Sequence, residues 1–200
     1  MLWLTKLFGI PTVATIHGLD WQRSKWGNFA SHMLKLGEKT AALHADEVIV
    51  LSHNMQDYFQ ETYGRKTRFI PNGINRPILN SEIKAKYGLE KDGYILFLAR
   101  IVPEKGLHYL LHAFEQIETD KKLVIAGGSS HSQEYVQEMV DLAAKDSRVI
   151  MTGFVQGEVL EELYSNAYCF VLPSDIEGMA LGLLEAMSYG NCCIASNIPE

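Results

Sequence analysis

Two glutamates, Glu177 and Glu185, stand with seven residues between them in the run Pro173-Ser174-Asp175-Ile176-Glu177-Gly178-Met179-Ala180-Leu181-Gly182-Leu183-Leu184-Glu185-Ala186-Met187. The run follows an apolar stretch that reads as a buried strand, and it opens a helix. In a parallel sheet, ligands gather at the carboxyl ends of strands, where helix N-termini point. Free N–H groups around Gly178–Leu181 suit an anion such as a diphosphate, and Gly178 lets the backbone approach closely. With the helix opening there, the two carboxylates are expected roughly 10–12 Å apart, at 1.5 Å rise per residue. A nucleotide-sugar carries a polyhydroxy ring on each side of its diphosphate. Each carboxylate can then accept hydroxyl hydrogen bonds, one from the sugar and one from the ribose. A plainer reading stays open, in which Glu177 complements the helix dipole and Glu185 is an exposed helix residue. Glu185 fits it poorly, because Leu183, Leu184, Ala186 and Met187 surround it in sequence and a buried carboxylate needs a partner.

A second group is Arg100-Ile101-Val102-Pro103-Glu104-Lys105-Gly106, which begins at the end of the strand-like run ILFLA. Two cations at a strand's carboxyl end can grip a diphosphate and stabilise it as a leaving group without a metal. The alternative is a solvated pair beside a turn.

These groups need a scaffold that brings strand ends together. Strands are expected over Thr12–His17, Glu47–Leu51, Arg68–Pro71, Tyr94–Ala99, Lys122–Ala126, Arg148–Thr152, Tyr168–Leu172 and Cys192–Ala195. Most are continuous apolar runs, as in strands buried on both faces of a parallel sheet. Helices are expected over Asn28–His44, from Ser52 as N-cap through Tyr63, and over Leu107–Ile117, Gln133–Lys145, Gly157–Asn166 and Gly178–Tyr189. The alternation predicts an α/β fold with right-handed crossovers. The turn-rich segment Pro71-Asn72-Gly73-Ile74-Asn75-Arg76-Pro77 breaks the rhythm. It suggests two Rossmann-like domains, residues 1–75 and 76–200. The first has about three strands and the second lacks a closing helix, so both domains read as partial and the chain as a fragment.

Composition narrows the classes. Of 200 residues, 47% are hydrophobic and 21% charged, with net charge −6, which suits a soluble globular protein. No dense Lys/Arg run marks a nucleic-acid binder. The N-terminal run MLWLTKLFGIPTVATIHG carries Lys6, Gly9 and Pro11, which disfavours a signal peptide; it reads as a helix end followed by a buried strand. No apolar run reaches the roughly 20 residues of a membrane span. Cys169, Cys192 and Cys193 lie in apolar runs without zinc-ligand spacing and are expected to be buried free thiols in a reducing cytoplasm.

Five segments together resemble the retaining GT-B glycosyltransferases of family 4, the glycosyl transferases group 1. EGMALGLLEA is similar to their E-x7-E motif, and Arg100 with Lys105-Gly106 to their R-x4-K-G signature. Ile70–Ile74 (IPNGI) resembles the segment ending their N-terminal domain, Gly153-Phe154-Val155 their G-x-V loop, and Thr15-Ile16-His17-Gly18 their T-x-H-G element. The resemblance implies that Arg100 and Lys105 bind the donor diphosphate. It implies that Glu177, with the backbone of Gly178, Met179, Ala180 and Leu181, holds the donor sugar and phosphate. Glu185 would take the ribose hydroxyls, Phe154 and Val155 would border the base, and His17 would reach the donor sugar from the opposite domain. Transfer would proceed on one face of the sugar, with no protein nucleophile and no metal. The donor is expected to be a nucleotide-sugar, a UDP-sugar by preference, and no separate cofactor is expected. The acceptor is expected to be a glycan or a lipid-linked acceptor in polysaccharide or cell-envelope biosynthesis. The expected location is the cytoplasm, with peripheral contact at the inner face of the membrane. The family's first βα loop and last helix have no counterpart in the 200 residues.

A truncated remnant that only binds nucleotide-sugar stays open. The E-x7-E spacing argues against a UDP-sugar 2-epimerase, and the lack of a pyridoxal-phosphate lysine motif argues against a phosphorylase. His108 and His112 share a helix face but have no third ligand nearby in sequence. Gly127-Gly128-Ser129-Ser130 lacks the G-x-G-x-x-G of a dinucleotide fold. Trp21, Trp26 and Phe29 with Arg23 and Lys25 can meet a lipid surface or an acceptor, or cover the helix that follows; the second is preferred.

Overall fold

A computed structural model describes residues 2–19, 21, 27–79, 87–128 and 132–198. Arg23, Lys25, Trp26, Ser129 and Ser130 lie outside the described residues. The chain divides into two compact units. The first comprises Met1–Gly73, Ile176–Met179 and Ile198–Glu200, and the second Ile74–Asp175 and Ala180–Asn197.

In the first unit the elements are α1 (Leu2–Leu7), β1 (Val13–Ile16), α2 (Asn28–His44), β2 (Glu47–Val50), α3 (His53–Tyr63) and β3 (Arg68–Phe69). The strands form a parallel sheet in the order β1-β2-β3. β2 is central, so Val48 and Val50 are fully buried and join Ala42, Ala45, Met55 and Phe59 in one core. The expectation of a buried first strand is corrected here. β1 lies at the sheet edge and Val13 is 64% exposed, because an edge strand has a neighbour on one side only. Ser52 caps α3 as expected, its Oγ accepting from Met55 N at 3.2 Å. α3 ends where Gly64 N donates to Gln60 O at 3.0 Å and Arg65 N to Phe59 O at 3.2 Å.

A carboxylate ties this unit together. Glu38 is buried on α2 and accepts from Trp21 Nε1 at 3.0 Å, Tyr58 Oη at 2.8 Å and Tyr63 Oη at 2.7 Å. Three neutral donors offset the desolvation of the charge. Lys35 Nζ stands 4.5 Å from the Trp21 ring centroid. Trp21 therefore lies against α2, as preferred for that aromatic group, whereas Phe29, on α2 itself, is 81% exposed and covers nothing among the described residues.

The second unit carries β4 (Tyr94–Leu98), α4 (Leu107–Glu115), β5 (Lys122–Ala126), α5 (Gln133–Ala143), β6 (Val149–Gly153), α6 (Glu158–Asn166), β7 (Cys169–Leu172), α7 (Leu181–Ser188) and β8 (Cys192–Ala195). Its parallel strands are ordered β6-β5-β4-β7-β8. The continuous runs YILFL, KLVIA and CFVL take the three central places. Leu96, Phe97, Leu123, Val124, Ile125 and Phe170 are fully buried there, each contributing about 1.5–3 kcal/mol. The helices add Leu107, Leu111, Phe114, Met139 and Leu163 to the same core.

Two further expectations are corrected. Of the cysteines, Cys169 is buried, but Cys193 is half-buried and Cys192 exposed, since β8 is the edge strand. α7 begins at Leu181 rather than Gly178, with Ala180 extended at φ −69° and ψ 102° as its N-cap. Residues 177–180 are not helical, so the separation of 10–12 Å estimated for Glu177 and Glu185 from helical rise does not apply.

Candidate functional site

The sheet order carries the site. From β4 the chain moves outward to β5 and β6, then returns to place β7 on the other side of β4. The strand order thus reverses between β4 and β7, and in open α/β sheets the crevice beyond the carboxyl ends at such a reversal binds ligands. The segments leaving β4 and β7 are Arg100–Gly106 and Pro173–Asp175, so the two motif regions of the sequence start at this one edge.

They are fitted closely to each other. Pro103–Lys105 form a short 3-10 turn that closes at Gly106, whose φ is +68°. A Cβ built on Gly106 would stand 1.9 Å from the Pro173 carbonyl oxygen. Asp175 N donates to Glu104 O at 2.9 Å. Arg100 is exposed and Lys105 half-buried, while Glu104 between them is buried and its Oε1 has no hydrogen-bond partner among the described residues. The edge thus offers two cationic side chains on a turn with a fixed backbone. Glu104 was not singled out from the sequence, where a glutamate beside a lysine reads as surface charge.

The neighbouring loops are knit in the same way. Gly127, after β5, has φ +148°, and a Cβ on it would stand 1.8 Å from Ala99 O. Its N–H donates to Gly153 O at 2.9 Å, and Ile101 N donates to Gly128 O at 3.3 Å. The glycine pair is therefore a joint between strand ends. From sequence the pair reads only as a candidate dinucleotide motif, because its contacts are distant along the chain. Phe154 and Val155 follow β6, two strands from β4. Phe154 is 77% exposed, and Val155 packs against the core.

Leu181 is exposed at the first position of α7, and among the described residues no side chain caps the helix at Ala180. Leu183 N and Leu184 N both donate to Ala180 O at 3.1 Å, so of the first-turn amides those of Leu181 and Gly182 are left for another acceptor among the described residues. Glu185 lies one turn further on, half-buried, with Tyr164 Oη 3.1 Å from its Oε2. This is the partner that an apolar helix requires of a carboxylate. Tyr164 was not singled out either, because its pairing with Glu185 spans 21 residues.

His17, Glu177, Gly178 and Met179 fall in the first unit. His17 is exposed just after β1, and Glu177 is half-buried. A Cβ on Gly178 would stand 2.2 Å from His17 O. Asn72, in the IPNGI segment, donates from N to Met179 Sδ at 3.2 Å.

Among the described residues no group of three His, Cys, Asp or Glu side chains is placed to hold a metal. His108 Nδ1 lies 2.8 Å from Tyr135 Oη instead. No helix among the described residues is long and apolar enough to cross a membrane.

A parallel α/β unit with paired loops at its strand reversal defines a doubly wound fold. The family model for glycosyl transferases group 1 matches residues 80–200, and that for glycosyltransferase family 4 matches residues 1–76. The chain belongs to the glycosyl transferases group 1 family. The uncharacterized glycosyltransferase YqgM of Bacillus subtilis is 32% identical over 199 residues, spanning 97% of this chain and 54% of its own length. The alpha-maltose-1-phosphate synthase of Mycolicibacterium smegmatis is 28% identical over 96% of this chain and 55% of its own. The chain thus spans about half the length of the curated relatives it matches. Sucrose-phosphate synthase of Thermosynechococcus elongatus superposes with a TM-score of 0.81 at 26% identity, covering 98% of this chain and 54% of that one. HepE of Anabaena, solved with UDP and glucose, superposes with a TM-score of 0.83 at 21% identity, covering 98% and 56%. The fold is of the GT-B type seen in these structures.

Proposed function

We propose that the protein to which this chain belongs is a retaining glycosyltransferase that moves a sugar from a nucleotide-sugar donor to a glycan or lipid-linked acceptor. The observation that carries the reading is the strand reversal between β4 and β7, where the cationic turn Arg100–Gly106 packs on Pro173. The family membership supports the same reaction class.

In this reading Arg100 and Lys105 bind the donor diphosphate and stabilise it as it leaves with the bond electrons of the anomeric carbon. Preorganised positive charge lowers the cost of that developing negative charge. The uncapped start of α7, with Ala180 and Leu181, presents backbone amides to a phosphate, together with Gly178 and Met179 before it. Glu177 and His17 contact the donor sugar, Glu185 accepts ribose hydroxyls, and Phe154 and Val155 border the base. The acceptor oxygen attacks on the face the diphosphate leaves, and a departing phosphate oxygen takes its proton. That HepE was solved with UDP and glucose favours a UDP-sugar. A cytoplasmic location with peripheral membrane contact, and a role in polysaccharide or cell-envelope synthesis, belong to the same proposal.

Calorimetric titration of the purified chain with UDP, GDP and ADP tests it, beside Lys105→Ala and Glu185→Ala. One nucleotide should bind, and both substitutions should weaken it. A folded chain that binds none of the three would overturn the assignment of a donor site to these residues.

A further inference from the structure

We propose that Tyr164 is a positioning residue that sets which oxygen of Glu185 meets the ribose, and so makes the site selective for ribonucleotides over deoxyribonucleotides. The proposal rests on the reading of Glu185 as the ribose ligand.

A lone carboxylate on an apolar helix can turn about its side-chain torsions, and each turn offers a ligand a different oxygen. Glu185 is restrained by Tyr164, whose Oη lies 3.1 Å from Oε2. Among the described residues nothing is placed on Oε1, which is left to accept a ligand hydroxyl.

Tyr164 is itself held on several sides. The residue is 2% exposed. Its ring stacks on Tyr189 at 5.2 Å and 19°, and lies 6.0 Å from the Phe170 ring. Asn191 Nδ2 donates to its carbonyl oxygen at 2.9 Å, fixing the end of α6. Gly182 O lies 3.3 Å from the hydroxyl, and a Cβ on Gly182 would stand 3.5 Å from it. Burial, with the facing Glu185 carboxylate, pushes the phenol far above the ordinary tyrosine range, so the hydroxyl keeps its proton as a donor. Tyr189 follows α7 and Phe170 lies on β7, so the elements flanking the motif also brace its second glutamate. Such restraint reduces the ordering a ligand must impose when it binds.

The test is titration with UDP, GDP and ADP and with their 2′-deoxy and 3′-deoxy counterparts. The proteins are the unaltered chain, Tyr164→Phe, Glu185→Ala and the double substitution. Phenylalanine keeps the packed ring and removes only the hydroxyl. The expected result is a preference for the ribonucleotide of about tenfold in the unaltered chain, from one hydrogen bond to a charged group. Tyr164→Phe should lose most of that preference while binding the deoxy counterpart as before. The double substitution should lose no more than Glu185→Ala alone. Should Tyr164→Phe fail to fold, Tyr189→Leu removes the stacking support and should reduce the same ratio. A Tyr164→Phe protein that keeps the full ratio, where Glu185→Ala abolishes it, overturns this proposal alone. An unaltered chain that binds no nucleotide overturns the donor-site reading and this proposal with it.

Discussion

Gly106 lies directly against the carbonyl of Pro173: a Cβ there would stand 1.9 Å from that oxygen. The relationship joins the loop after β4 to the loop after β7, the two strands between which the sheet order reverses. Gly106→Ala should therefore act twice. It forces a side chain into the left-handed region at φ +68° and drives apart two loops that meet at the candidate site. The expected loss is about 3 kcal/mol of stability, read from the urea unfolding midpoint, with nucleotide binding lost even in the fraction that stays folded. An unchanged midpoint would show that the loops separate without cost.

Arg100 is exposed, so it adds little to the fold, and in the proposed reading its charge acts on a bound diphosphate. Arg100→Ala should leave the thermal midpoint within about 2 °C, since exposed substitutions rarely change stability by more than about 0.5 kcal/mol. It should weaken nucleoside diphosphate binding about tenfold to a hundredfold, the range for a hydrogen bond to a charged group. The salt dependence of binding should become shallower in the same variant. Equal affinity at low salt would place Arg100 outside the site.

Glu38 accepts three hydrogen bonds from buried or half-buried donors. Glu38→Ala leaves Trp21, Tyr58 and Tyr63 without their acceptor, at an expected cost of about 2–4 kcal/mol. Glu38→Gln keeps an acceptor and should cost less than half of that. Chemical unfolding of the two variants measures the difference, and the near-ultraviolet circular dichroism of the aromatic groups should change in the alanine variant. Equal stability of the two would mean that packing, not the acceptor, matters at this position.

Alkaline pH should unfold the chain through its buried phenols. Burial holds Tyr94 well above the ordinary value of 10.0, and burial with Glu185 does the same for Tyr164. A group raised in the folded state contributes stability that is whole below its unfolded value and is lost as pH rises through its folded one. Stability from these two residues should hold from neutral pH to about 10 and fall above it. Absorbance of the phenolate against pH, beside circular dichroism, checks this. Smooth ionisation of every tyrosine in a chain that stays folded would contradict it.

The cysteines should separate by reactivity. Cys192 is exposed, while burial raises Cys169 and Cys193 above the ordinary thiol value, which lowers their thiolate fraction at neutral pH. A thiol reagent should label Cys192 promptly, Cys193 slowly, and Cys169 only on unfolding. Mass spectrometry of labelled peptides reads the order. Prompt labelling of Cys169 would show that β7 opens in the native state.

The sequence by itself determined the elements and the residue types of the candidate site. Continuous apolar runs such as YILFL and CFVL, bounded by turn signals, read as strands covered on both faces. Ser52 before an amphipathic stretch is a cap, and the spacing of Arg100 to Lys105 and of Glu177 to Glu185 is visible without coordinates. These properties are local, set by periodicity and side-chain chemistry over a few residues. What only the tertiary structure decided was adjacency. No pattern in the chain states that β7 returns beside β4, because strand order depends on how all the crossovers pack. The exposure of β1 and Cys192 follows from edge positions that apolar composition does not reveal. The start of α7 at Leu181 depends on the backbone from Glu177 to Ala180 taking a non-helical path, although nothing in its sequence forbids a helix. Glu104, Gly127, Glu38 and Tyr164 owe their roles to partners distant along the chain. A hydrogen bond such as that from Tyr164 to Glu185 exists only once separate helices are brought together.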